Sequence, residues 1–300
     1  MPASPRTGID LGGTKIEIVV LGQAGQTLFE KRIATPAPDY QATLAALRDL
    51  VDEAEQAIGT TTTVGMGTPG SISPKTGLLR NSNSVWMNGK PLADDAATVL
   101  GREVRMANDA NCFALSEATD GAGQGAHSVF GVIIGTGCGG GVVVAGELVN
   151  GANGIGGEWG HNPLPWPDET EVPGPKCWCG LSGCQETWLS GSGLARDHQV
   201  VTGQVLKGEQ IVERAEKGDE HCRSTLKRHA GRLARGLAAV CNMLDPEVIV
   251  LGGGLSNMPH LYRDLPGLME PFIFSDHVTT TILAPKHGDA SGVRGAAWLW

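Results

Sequence analysis

The sequence predicts an α/β chain built from two related halves. Three observations carry this. An apolar run, a turn rich in glycine and threonine, and a second apolar run occur near the N-terminus and again in mid-chain. Two long segments follow helical periodicity, and two further strand-like runs end in glycine.

The first unit is Gly8-Ile9-Asp10-Leu11, the turn Gly12-Gly13-Thr14-Lys15 and the return run Ile16-Glu17-Ile18-Val19-Val20, which read as a hairpin. Tyr40 to Ile58 is helical, with Leu44, Leu47, Leu50, Val51 and Ala54 on one face. Val64-Gly65-Met66-Gly67 is a strand ending in the turn Thr68-Pro69-Gly70. Ala110 to Thr119 reads as a helix, and Asn108 or Asp109 suits its N-cap. Val129-Phe130-Gly131-Val132-Ile133-Ile134 is a buried strand, Gly135-Thr136-Gly137-Cys138-Gly139-Gly140-Gly141 a turn, and Val142-Val143-Val144-Ala145 the return strand. This echo of the opening unit occurs only twice and at long separation, so it marks two halves and not a solenoid. Ser224 to Asn242 is helical, Pro246 stops it, Val248-Ile249-Val250-Leu251 is a strand, and Gly252-Gly253-Gly254 closes it. The tail Gly292 to Trp300 is an apolar segment expected to pack back on the first half.

Composition narrows the function classes. Of 300 residues, 41% are hydrophobic, enough for a sizeable core. Twenty-three basic against 32 acidic side chains leave a charge of -9 and no dense basic face, which argues against a nucleic-acid binder. An anionic ligand must therefore be held locally, by backbone amides, helix ends or a metal ion. No run approaches 18 apolar residues, and Met1 to Thr7 lacks the apolar core of a leader, so a cytoplasmic protein without membrane contact is expected. Seven cysteines in such a compartment are not a disulfide framework.

Four features carry chemistry. In Asp10-Leu11-Gly12-Gly13-Thr14-Lys15, glycines let backbone amides approach phosphate oxygens, Asp10 suits hydrated magnesium, and Thr14 or Lys15 suits phosphate; a plain hairpin turn is the alternative. The loop Gly135-Thr136-Gly137 opens a run of five glycines in seven residues, more than a turn requires, and reads as a second phosphate cradle. Gly253 and Gly254 either floor a nucleotide base or form a tight connection. His161, Cys177, Cys179 and Cys184, spaced H-x15-C-x-C-x4-C, make a closed tetrahedral set for structural zinc. About 10 kcal/mol of metal binding would order the irregular Gly151 to Cys184 segment, which otherwise has no visible fastener. Around these lie Asn83, Asn108, Asp109, Glu158, His161 and Glu186, a polar set suited to a ligand with several hydroxyls. Asp109 is either a helix cap or a carboxylate that accepts a proton from an attacking hydroxyl.

These motifs together resemble the ROK family (repressors, open reading frames and kinases). The matching stretches are Asp10 to Lys15, Asn108-Asp109-Ala110-Asn111, Gly135 to Gly137, Gly157-Glu158-Trp159-Gly160-His161, and Cys177-x-Cys179-Gly180-x-x-Gly183-Cys184-x-Glu186. The resemblance covers nearly the whole chain. Gly67 to Pro74, Gly160 to Trp166 and Lys286 to Ala296 look most like bacterial fructokinases, also called manno(fructo)kinases.

The resemblance implies an actin-like (ribonuclease H-like) two-domain sugar kinase fold, with ATP and sugar in a cleft between the domains. It implies one domain of residues 1–118 with 291–300, and a second of 119–290 carrying the zinc segment. It implies Asp109 as the catalytic base, and Gly70, Asn83, Asn108, Asp109, Glu158, His161 and Glu186 as sugar contacts. ATP and Mg2+ would fall to Asp10, Gly12, Gly13, Thr14, Lys15, Gly135, Thr136, Gly137, Gly253 and Gly254. His161 would serve twice, one ring nitrogen on Zn2+ and the other toward the sugar. The expected activity is ATP-dependent phosphorylation of a hexose 6-hydroxyl, D-fructose first and mannose second. Glucose, N-acetylglucosamine and N-acetylmannosamine are the alternatives within the family. A sugar sensor that keeps the fold without catalysis is the alternative from another class. Family repressors carry a DNA-binding segment ahead of this domain, and only nine residues precede Asp10 here. A homodimer is expected from the family alone.

Overall fold

The computed structural model describes residues 4–300. The stretch Met1 to Thr7 is therefore described only from Ser4 onward. The chain forms two units: residues up to Gln124 with Gly146–Gly156 and Lys286–Trp300, and Gly125–Ala145 with Gly157–Pro285.

In the first unit, β1 (Arg6–Leu11), β2 (Lys15–Leu21), β3 (Thr27–Ala34), β4 (Thr63–Thr68) and β7 (Val104–Asn108) form one sheet in the order β3-β2-β1-β4-β7. The two-residue strands β5 (Ser71–Ile72) and β6 (Leu79–Arg80) pair apart from it. β1 and β2 are antiparallel, with Asp10 opposite Glu17, while β4 runs parallel to β1 and β7 parallel to β4. Alternation places Ile9, Leu11, Ile16 and Ile18 in a core shared with α1 (Tyr40–Ile58). The stripe Leu44, Leu47, Leu50, Val51 and Ala54 is buried as expected. Asp39 caps the start of α1 and Gly59, at φ 73°, ends it. α2 (Leu92–Leu100) follows, and α3 (Asp109–Thr119) leaves directly from β7.

The C-terminal tail does pack on this unit, as α9 (Ser291–Ala297) against β1 and β4. Glycine makes the approach possible. A Cβ on Gly8 would lie 2.0 Å from the Val293 carbonyl oxygen, and one on Gly65 would lie 1.9 Å from that of Ala296.

The second unit repeats the plan. Its strands β9 (Cys138–Val144), β8 (Ser128–Ile134), β11 (Val248–Gly252) and β12 (Thr281–Leu283) lie adjacent in that order. β8 and β9 form an antiparallel hairpin, and β11 and β12 run parallel to β8 and to each other. The helices are α4 (Glu186–Leu189), α5 (Gly191–Thr202), α6 (Gly208–Glu216), α7 (Glu220–Leu244) and α8 (Pro259–Met269). Leu226, Leu233 and Leu237 of α7 join Phe130, Val132 and Ile249 in this unit's core.

Three local expectations change. Gly139, Gly140 and Gly141 lie within β9, so the turn is only Gly135 to Gly137. Gly140 is there because a Cβ would sit 2.9 Å from both Phe130 and Trp159 ring atoms. The long helix spans Glu220–Leu244 and not 224–242, because Asp219 accepts from the His221 and Cys222 amides and starts it a turn earlier. Residues 146–156 cluster with the first unit, while their short strand β10 (Glu147–Leu148) is the edge strand next to β9 in the second sheet. There the Arg80 guanidinium donates to the Asn153 carbonyl at 3.0 Å, and Gly154 approaches Pro74. No helix among the described residues is long and apolar enough to cross a membrane.

Candidate active site and metal centre

The β1–β2 turn is closed by the Gly12 amide donating to the Lys15 carbonyl at 2.9 Å, and the Thr35 hydroxyl donates to the Gly12 carbonyl at 2.8 Å. This holds Thr14 outward while Lys15 pairs with Glu17 at 3.4 Å. Gly13 abuts the segment that carries Asn83, since a Cβ on it would lie 2.4 Å from Ser84 Oγ. Gly70 abuts the same segment. At φ 83° its Cβ would meet the Arg80 carbonyl at 2.3 Å and the Ser82 amide at 2.7 Å. The structure thus brings Gly13, Gly70 and Asn83 to one segment, residues 80–84.

At the junction of β7 and α3 the two candidate caps separate into two roles. Asn108 is the cap, its Oδ1 accepting from the Asn111 amide at 2.7 Å. The cap uses one of the two lone pairs of Oδ1. Asp109 is the first helical residue, its Oδ1 accepting from the Ala110 amide at 2.8 Å. Its side chain is open to solvent, yet dense surrounding protein raises its pKa above the ordinary carboxylate range, against the lowering effect of its amide bonds. An accessible carboxyl with heightened proton affinity is what a general base requires. Asp10, at the end of β1, is pushed up to about 6, first by burial and next by the Asp109 charge, with Lys15 opposing. Two carboxylates that repel in this way are a place where a divalent cation gains energy, which fits magnesium.

In the second unit, three backbone-rich segments converge at the C-terminal ends of β8 and β11. The Gly135 amide donates to the Gly137 carbonyl at 3.0 Å, and the Gly191 amide donates to the Gly135 carbonyl at 2.7 Å. Gly253, at φ 81°, approaches so closely that a Cβ would lie 2.6 Å from the Ile134 carbonyl oxygen. Gly254 opens a short 3-10 turn, so the strand does not run straight into a helix there. The third segment, the start of α5, was missed by the sequence reading. Its signal was Ser190-Gly191-Ser192-Gly193: Ser190 caps the helix by accepting from the Gly193 amide at 3.1 Å. Thr136 is exposed at the tip of the loop.

The zinc candidates also meet. The ligand atoms of His161, Cys177, Cys179 and Cys184 all lie within 4.8 Å of one another. Cys177 Sγ is 3.6 Å from His161 Nδ1, and Cys179 Sγ is 3.6 Å from Cys184 Sγ. Zinc–sulfur bonds of about 2.3 Å in a tetrahedron imply sulfur–sulfur spacings of about 3.8 Å, so the donors fit. Protein groups alone favour ionisation only at Cys179, whose thiol is lowered mainly by the Leu181 amide. Burial raises Cys177 and pushes Cys184 up to about 12. A cation between them is what would hold all three as thiolates. With Nδ1 facing the sulfurs, the His161 Nε2 is left for a second partner.

A metal is not the only fastener of the irregular segment. Buried Glu171 accepts from Arg232 and Arg235 of α7 at 2.8 Å, and Arg232 also donates to Asp197 of α5 at 2.7 Å. Glu186, at the start of α4, accepts from the Trp178 indole at 2.7 Å and from the Cys138 amide at 3.1 Å. Glu158 immediately precedes the 3-10 turn Trp159–His161. Two concave sites of about 360 and 340 Å³, around Trp166–Arg235 and around Asp120–Arg294, include none of the candidate residues.

Two sheets on one strand plan, each opening with a glycine-turn hairpin, define an actin-like sugar kinase fold. Solved structures agree. A ROK hexokinase from Thermus thermophilus superimposes with a TM-score of 0.87 at 31% identity, covering 98% of this chain and 97% of that one. A ROK family glucokinase from Streptomyces griseus, in complex with glucose and AMPPNP, gives 0.76 at 29% identity, covering 98% of each chain. The ROK family model matches residues 6–300, and the chain belongs to that family. The expectation of fructose does not stand. The N-acetyl-D-glucosamine kinase of Haemophilus influenzae is 38% identical over 301 residues, covering 98% of each chain. That of Shigella flexneri is 40% identical over 296 residues, covering 97% of this chain and 98% of its own. The stretches read as fructokinase-like are therefore no guide to the sugar.

Proposed function

We propose that this protein is an ATP-dependent N-acetyl-D-glucosamine kinase acting on the 6-hydroxyl. The observation that carries the sugar assignment is the run of N-acetyl-D-glucosamine kinases 38 to 40% identical over nearly the full length of both chains. The chemistry rests on Asp109. Its accessible carboxylate takes the hydroxyl proton as the sugar oxygen bonds to the γ-phosphorus and the bond to the departing ADP oxygen breaks. The amides of Gly12, Gly13, Gly135, Thr136 and Gly137, with Gly253 and Gly254 beside them, suit the phosphates because glycine exposes backbone N–H without side-chain bulk. Lys15 and Thr14 add a charge and a hydroxyl. Magnesium, when bound with ATP, would supply charge neutralisation on the phosphate oxygens, and Asp10 is the carboxylate suited to its hydration shell. Gly70, Asn83, Asn108, Glu158, His161 and Glu186 are the sugar contacts of this reading. His161, Cys177, Cys179 and Cys184 would hold a structural zinc, which would fix the His161 ring and leave its Nε2 to a sugar hydroxyl.

The test is ADP release with MgATP over a panel of N-acetylglucosamine, N-acetylmannosamine, glucose, mannose and fructose. The highest kcat/KM is expected on N-acetylglucosamine. A higher value on an unacetylated hexose would refute the sugar assignment, and no sugar-dependent release would refute the kinase assignment.

A further inference from the structure

Trp178 lies between Cys177 and Cys179, two of the candidate zinc ligands. It is 66% exposed, an unusual position for an indole. Its two sides are nonetheless held. The indole N–H donates to Glu186 Oε1 at 2.7 Å. The ring meets His161 edge to face, with centroids 4.9 Å apart and planes at 86°.

The other Glu186 oxygen is occupied too, by the Cys138 amide at 3.1 Å, just after the Gly135–Gly137 loop. Gly137 leaves room for it: a Cβ there would lie 2.9 Å from Glu186 Oε2. Glu186 is thus clamped between the glycine loop and an indole whose backbone neighbours are Cys177 and Cys179. A carboxylate so clamped has one orientation, and a neutral indole donor holds it without neutralising its charge.

We propose that Trp178 is a positioning residue for sugar binding. It transmits the geometry of the metal segment to Glu186 and buttresses the His161 ring. This rests on the kinase reading and on Glu186 and His161 as sugar contacts. Loss of the N–H frees one end of the Glu186 carboxylate, and loss of the ring also frees His161.

The experiment compares wild type, Trp178→Phe and Trp178→Ala for zinc content, Tm, and kcat and KM measured separately for N-acetylglucosamine and ATP. Trp178→Phe keeps the ring and is expected to keep zinc and Tm while raising the sugar KM about 10-fold, as loss of a charge-assisted hydrogen bond implies. The KM for ATP is expected to stay within about 2-fold, because the indole touches no group assigned to the nucleotide. Trp178→Ala is expected to raise the sugar KM further. An unchanged sugar KM in Trp178→Phe, with the wild type active, overturns the positioning role and leaves the kinase reading intact. Loss of zinc in both variants, with both KM values rising together, overturns it in favour of a structural role. A wild type inactive on every sugar refutes the kinase reading and this inference with it.

Discussion

Asp10→Asn is expected to stabilise the protein while removing its activity. Asp10 sits at the end of β1 with its pKa raised from 3.8 to about 6, by burial first and by Asp109 next. The native state therefore holds this proton more tightly than the unfolded chain, and ionising it costs stability as pH rises through 6. At pH 8 the full difference applies, about 3 kcal/mol at 1.36 kcal/mol per pH unit. At pH 5 the native carboxyl is largely protonated while the unfolded one is not, and the cost falls to about half of that. Near pH 4 little remains. An asparagine carries no such charge, so its advantage follows the same profile. The assay is thermal or urea unfolding of both proteins at pH 8 and pH 5, without added magnesium or nucleotide. A gain at pH 8 that shrinks by about half at pH 5 supports the reasoning. Equal stability at pH 8, or a gain independent of pH, refutes it. The wild type accepts this cost because the proposed magnesium role needs an ionised carboxylate, a common trade of stability for function.

Other consequences are as direct. Asp109→Asn should lower kcat about 100-fold or more with little change in sugar KM, and near-normal kcat would remove the base from its role. Cys179→Ser should lose bound metal and unfold at lower temperature; metal analysis of the wild type that finds no zinc would end that assignment. His229 is fully enclosed, its ring nitrogen Nε2 bonded to the Leu189 carbonyl at 2.9 Å, and burial lowers its pKa to about 4. The fold keeps it neutral, so stability is complete above about pH 6.5 and falls as pH drops toward 4, by about 2 kcal/mol at pH 5. His229→Gln should flatten that slope, and an unchanged difference in unfolding free energy between pH 7.5 and 5 would show that another group carries it.

Much of the architecture was legible because its causes are local. The α1 stripe follows from spacing alone, and Tyr40–Ile58 has the expected bounds. The two hairpins follow from apolar runs around glycine turns, and the grouping of His161 with Cys177, Cys179 and Cys184 from their ligand types and close spacing. What escaped depended on distant partners. Gly139 to Gly141 read as turn because glycine favours turns, and only the approach of the Phe130 and Trp159 rings explains Gly140 in a strand. The irregular segment seemed to need a metal because Arg232 and Arg235, more than 60 residues away from Glu171, could not be placed beside it.

The sequence by itself determined the fold class, the hairpin plan of both halves, the grouping of one histidine with three cysteines and the pairing of Asn108 with Asp109. All of these are set by short spacings and by the backbone freedom of glycine. Only the tertiary structure decided which of that pair caps α3 and which is left as an accessible carboxyl. It alone joined α5 to the glycine loop and closed Trp178 onto Glu186. Those outcomes depend on burial, charge and contacts between residues far apart in the chain, which local spacing does not encode.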